Sequence, residues 1–176
     1  MILKKTLIMI NHGTSLKIRD IAKEANVSVG TIYKYYPDGV QSILMQLVSQ
    51  MSSTYFPETL YRNVNFNDFQ SFLKRLISLI LENHTKNKEL VRLERSVSSS
   101  NIFIQNFIKN ETLIDFLFKF NDIKGENKTV IMEKLEKLIV IIDIFIHKHI
   151  DNPLLDSEEA FIEFLSETSY NYLKKY

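Results

Sequence analysis

The 176-residue sequence has no cysteine, no tryptophan, four glycines and three prolines. Without cysteine there is no disulfide framework, no thiolate zinc site and no cysteine nucleophile, and a cytoplasmic setting is expected. So few chain breakers, and no apolar–polar alternation that persists, speak against a sheet. Leu, Ile, Lys and Glu are abundant instead, and the expected fold class is all-α, with about nine helices. Long hydrophobic runs are also missing. The most apolar stretch, Leu138 to Ile146, is nine residues interrupted by Asp143, whereas a membrane span needs roughly twenty. No membrane partner is expected, and Met1 to Ile10, with two lysines and no small-residue cleavage signal, does not read as a secretory peptide.

A strong overall charge is lacking too, the net value being +1. Its distribution is uneven. Residues 1–50 carry Lys4, Lys5, Lys17, Arg19, Lys23 and Lys34 against Asp20, Glu24 and Asp38, or +3, while the remaining 16 basic and 18 acidic residues give −2. A basic head on a slightly acidic body is compatible with one end facing phosphate. The 45% apolar and 24% charged composition is that of an ordinary globular protein. Two domains are expected, 1–48 and 49–176.

Apolar residues at Ile2, Leu3, Leu7, Ile8 and Ile10 predict a first helix, stopped by His12-Gly13. In Lys17 to Ala25, the positions Ile18, Ile21, Ala22 and Ala25 recur at three and four residues and form one narrow apolar face. Asn26 tolerates the left-handed conformation that a tight interhelical turn needs, so Asn26-Val27-Ser28 is the expected turn. Ser28 then suits an N-cap for a short third helix from Val29 to about Tyr35. Ile32 points inward there, leaving Val29, Thr31, Tyr33, Lys34 and Tyr35 to meet solvent or a partner. Such a surface suits a major-groove reader: the tyrosines for phosphate or thymine methyl, Lys34 for phosphate or guanine, Thr31 for either. The N-terminus of that helix adds donors for phosphate.

The run from Arg19 to Pro37, with Asp-Ile-Ala, an Ala-X-Val-Ser turn, Thr-Ile-Tyr and an aromatic-Pro exit, resembles the DNA-binding signature of tetracycline-repressor-like (TetR family) transcription regulators. The resemblance spans Ile2 to Val48 and implies a helix-turn-helix. It also implies that Arg19 and Val29, Gly30, Thr31, Tyr33, Lys34 and Tyr35 face DNA. With Lys17 and Ser28 beside them, these are the expected DNA-binding residues. Asn26 stands where the family usually has glycine, and Gly39 where it often has a phosphate-binding lysine. No basic arm is read ahead of the first helix, so modest DNA affinity is expected.

In the body, Val40 to about Tyr55 reads as a helix with Ile43, Leu44, Leu47, Val48 and Met51 inward, ended by Pro57. Further helices are expected from a cap at Asn65 or Asn67 to about His84, from Asn87 to Ser99, and from Ile102 to Phe120 with an interruption near Asn110. The last two run from about Asn127 to Ile150 and from about Ser157 to Lys175, with Asn152-Pro153 as the break and Asp156 with Glu159 as a capping box. In the first of these, Leu138 to Ile146 is apolar around the whole circumference, so it needs burial on two sides. A homodimer through the last two helices, a four-helix interface, meets that need. The family resemblance implies the same pairing.

The body holds no glycine-rich phosphate loop, no His-Glu-X-X-His and no Glu-X-X-His pair, and no enzyme, cofactor or metal is assigned. Asp143, His147 and Asp151 fall at four-residue steps on one face, which fits an internal hydrogen bond or dimer contact better than a metal or polar-ligand site. An acid at Asp143 inside an apolar run needs a partner, with Arg92, Arg95 or a ligand's polar group as the options. The phenylalanines read first as core. The family hollows its sensing domain among such helices, implying a small-molecule effector, apolar or aromatic, near Arg95, Phe107, Phe116, Asp143 and His147.

These features predict a ligand-responsive, homodimeric repressor binding a palindromic double-stranded DNA operator. Two other readings stay open. The body could bind a protein partner instead of a small molecule, or the chain could be a helical-bundle metal or carrier protein using Asp143 and His147.

Overall fold

A computed structural model of the chain describes residues 1–52, 58–97, 105 and 107–174. All regular structure among the described residues is helical. The helices are α1 (Ile2–Asn11), α2 (Ile18–Glu24), α3 (Val29–Tyr35), α4 (Val40–Ser52), α5 (Phe69–Lys86), α6 (Lys88–Val97), α7 (Glu111–Leu117), α8 (Lys128–Asp151) and α9 (Glu158–Lys174), with a 3₁₀ turn at Glu58–Tyr61. No described helix is long and apolar enough to cross a membrane. Two compact units form, one from residues 1–53 with 87–103, the other from 54–86 with 104–176.

In the first unit α1 packs on α2, α4 and α6, and α2 on α3. Its core holds Ile21, Ala22 and Ala25, Ile32, then Ile43, Leu44, Leu47, Val48 and Met51, as the periodicity selects, but from α1 it takes Met9 with Ile10, while Ile2, Leu3 and Leu7 are half-buried and Ile8 is exposed. From α6, Leu90 and Val91 join them. Tyr55 and Pro57, expected to end α4, lie outside the described residues, as do Phe103 and the expected helix start at Ile102.

In the second unit α9 packs along α5 and against α8, and α5 packs on α8. Ser166 and Ser169 are fully buried on α9. Each returns its hydroxyl to its own helix, Ser166 to the Glu163 carbonyl and Ser169 to that of Leu165, so small side chains permit close packing without orphaned polar groups. At the end of α5 and α9 nearest α7, Phe66, Phe69, Phe72, Phe116 and Phe120 pack with centroid separations of 5.0–5.8 Å. Asn110 breaks the phenylalanine-rich stretch as expected, its Oδ1 accepting from Leu113 N–H at 3.0 Å as the N-cap of α7.

Two caps differ from the expected ones. Asp68, not Asn65 or Asn67, caps α5, accepting from Ser71 N–H at 3.0 Å, while Asn65 closes the preceding turn onto Asn67 N–H. Ser157, not Asp156, caps α9 through Ala160 N–H at 3.1 Å. In each case neighbouring residues share the same capping chemistry, and sequence alone does not choose among them. The long helix α8 starts where expected, with Asn127 Oδ1 accepting from Thr129 and Val130 N–H. It ends at Asn152, where Leu154 N–H donates to His149 Nδ1 at 3.1 Å and His149 stacks on Phe161.

Candidate functional site

The reading surface is built from a turn and a cap. Ala25 N–H donates to Ile21 O and Val27 N–H to Ala22 O, with Asn26 between them at φ 52°. That left-handed residue reverses the chain between α2 and α3, a conformation Asn adopts at little cost. Ser28 Oγ then accepts from Thr31 N–H at 3.0 Å and lies 2.8 Å from Thr31 Oγ1. A seven-residue helix is too short to persist alone. It is anchored by Ile32, fully buried, whose burial stabilises the packing by roughly 1.5–3 kcal/mol.

With Ile32 inward, the rest of α3 faces out. Tyr33 is 50% exposed, Tyr35 65% and Val29 37%. Ser28, Gly30 and Lys34 are exposed and Thr31 half-buried, and on α2 and its N-terminal flank Arg19 and Lys17 are exposed. Lys34 Nζ lies 5.7 Å from the Tyr35 ring centroid, a cation–π contact that groups charge and ring on one face. Gly39 supports the surface from below. It is buried at φ 62°, and a Cβ there would sit 3.3 Å from Ile18 Cδ1 and 3.5 Å from Tyr33 Cε1. The position that lacks the lysine thus gives room to the Tyr33 ring.

Short, capped, anchored by one apolar residue and otherwise exposing aromatic, hydroxyl and basic groups, α3 has the build of a recognition helix behind a three-residue turn. Residues 2–38 match the family of bacterial regulatory proteins, tetR family. The chain carries the tetR-family DNA-binding domain. It is therefore a DNA-binding transcription regulator, and members of that family are regulators rather than enzymes. No curated protein matches the sequence.

The other expected residues of the regulator lie in its body. Phe116 is buried in the aromatic cluster, also against Tyr61 at 4.8 Å, and Phe107 is buried. The Arg95 side chain lies outside the described residues. Asp143 and His147 are buried one turn apart on α8, whereas Asp151 is exposed. They meet a residue that the pattern did not assign to any site, His84 of α5. Asp143 Oδ1 lies 3.3 Å from His84 Nε2 and 3.4 Å from His147 Nε2. Burial pushes the Asp143 carboxyl up, but the His147 and His84 rings beside it outweigh burial and hold the carboxyl well below the usual carboxylate range. Arg92 pairs with Glu89 on its own helix. A signal for His84 did exist: it continues the buried stripe Leu73, Leu76, Ile77, Ile80 by one further turn, and a histidine in phase with a core stripe needs a buried polar partner.

Proposed function

We propose that the regulator is a homodimeric, ligand-responsive repressor acting in the cytoplasm on a palindromic operator. The observation that carries this reading is an apolar face left open on the single chain. On α8, Val140, Ile141 and Ile144 are each 38–39% exposed, and on α9 Phe164 is 46% exposed. Phe145 and Phe164 rings lie 6.3 Å apart, which makes the two helices' open residues one surface. Contiguous exposed apolar side chains on two adjacent helices suit an isologous four-helix contact.

Paired in this way, two α3 helices would read half-sites about one helical turn apart, roughly 34–36 Å centre to centre. Arg19, Tyr33, Lys34 and Tyr35, with Lys17, Ser28, Val29, Gly30 and Thr31 around them, are proposed as the contacts. An effector taken up in the body, at the Phe116 cluster by the start of α5 or near Asp143 and His147 by its end, would release DNA by changing the separation of the heads. A few ångströms suffice to break the register.

Binding of purified protein to DNA from upstream of its own gene tests the reading. Affinity should fall steeply with salt. Lys34→Ala should lower the slope of log K against log salt by about one, and Tyr33→Ala should weaken specific binding by about 1–3 kcal/mol with little change in slope. Salt-insensitive binding, or binding untouched by both changes, refutes it.

A further inference from the structure

The buried constellation His84, Asp143 and His147 is not needed for reading DNA, and its geometry asks for a cation. Its relative exposures are 1%, 2% and 8%, and a donor atom of each lies within 4.8 Å of the others. His84 Nδ1 faces the Ile80 carbonyl at 3.0 Å. A carbonyl only accepts, so Nδ1 carries a hydrogen, and in the neutral ring the lone pair is on Nε2. That lone pair is directed at Asp143 Oδ1, 3.3 Å away. Two electron-rich atoms face each other in a buried site, an arrangement that positive charge between them makes favourable.

A proton on Nε2 is one such charge, and a metal ion held by both histidines and the carboxylate is another. Hydrogen bonds between imidazolium and carboxylate run about 2.7–2.9 Å, whereas both carboxylate–imidazole separations here are 3.3–3.4 Å. With metal–nitrogen and metal–oxygen bonds of roughly 2.0–2.1 Å, adjacent ligands of a tetrahedral ion stand about 3.3–3.4 Å apart. The hydrogen bond at His84 Nδ1 fits as well. A metal-bound histidine characteristically gives its other N–H to a backbone carbonyl, which fixes the ring, as Ile80 does for His84. Asp143 and His147 come from one face of α8 four residues apart, the spacing that lets two side chains converge.

We propose that His84, Asp143 and His147 bind a first-row divalent metal ion of the zinc class, with a fourth position open to water or a ligand. Two imidazoles and one carboxylate suit Zn²⁺, Co²⁺ or Ni²⁺; Ca²⁺ and Mg²⁺ prefer six or more oxygens. The ion ties the end of α5 to the middle of α8 within the second unit. This goes beyond the repressor reading and does not depend on it.

The full-length chain, stripped with a chelator, is titrated with Zn²⁺ against a chromophoric competitor, and with Co²⁺ followed by its visible d–d absorption. One equivalent per chain is expected, with the intense bands of tetrahedral Co²⁺ and a rise in Tm on Zn²⁺ addition. His84→Gln and His147→Gln should each weaken Zn²⁺ binding beyond the roughly 10- to 100-fold that loss of an outer partner costs, and should abolish the Tm rise. His12→Ala, in the exposed turn after α1, should leave both unchanged. No stoichiometric Zn²⁺ binding by the unaltered chain overturns the proposal, a result that does not depend on whether any variant folds. Retention of Zn²⁺ affinity by both histidine variants overturns it equally.

Discussion

At the scale of single residues, two of the head's left-handed positions, Asn26 and Gly39, differ in what they tolerate. Asn26 at φ 52° is exposed and needs only a residue that accepts αL; its side chain type announces that in the sequence. Gly39 at φ 62° is buried with Ile18 Cδ1 3.3 Å from where a Cβ would stand. There both backbone and space require glycine. Gly39→Ala should therefore cost about 1–2 kcal/mol from the backbone alone, read as a lower urea midpoint at unchanged m, with added loss if Ile18 cannot give way. Asn26→Gly should be close to neutral. If Gly39→Ala were as harmless as Asn26→Gly, the left-handed geometry at Gly39 would be wrong. The resemblance marks this position as a missing phosphate contact, and the structure adds a reason for the glycine: the Tyr33 ring packs beside it.

At the scale of elements, the head was legible almost residue by residue, because short helices with strong punctuation leave few alternatives. His12-Gly13, Asn26 and Ser28 each mark a boundary, and α1 and α3 span the residues that these marks delimit. Ser28 is the testable one. Its hydroxyl oxygen accepts from Thr31 N–H at the start of α3, so Ser28→Ala should destabilise the protein by about 1 kcal/mol while Ser28→Asp preserves the cap. Chemical denaturation of the three proteins checks the order, and equal stability of Ser28→Ala and the parent would remove the cap from the account. In the body, by contrast, Asn65, Asn67 and Asp68 compete, as do Asp156 and Ser157, and the boundaries shift. His84 was missed for a different reason. Its partners Asp143 and His147 lie 59 and 63 residues on, and only the packing of α5 on α8 brings them together.

At the scale of the whole molecule, the apolar circumference of Leu138 to Ile146 is resolved into two faces. Leu138, Ile139, Ile142 and Ile146 are buried within the chain, while Val140, Ile141 and Ile144 stay open. The sequence showed that the helix had too much apolar surface for one core. It could not show which residues would be left over, since that depends on where α5 and α9 lie. In the proposed dimer the open residues are where pairing can be broken without unfolding the chain. A glutamate at Ile141 or Ile144 remains partly solvated in the monomer but is buried in a symmetric contact, and twice over, since both subunits carry it. Ile141→Glu and Ile144→Glu should each leave the thermal transition of the isolated chain cooperative, yet convert dimer to monomer in sedimentation equilibrium. Operator affinity should then fall by roughly 10²–10⁴, because the second half-site is no longer captured at high effective concentration. Affinity for a single half-site should stay the same. Variants that remain dimeric would place the contact elsewhere, and a monomer that still bound the full operator as tightly would mean that pairing is not what makes the lean α3 surface sufficient.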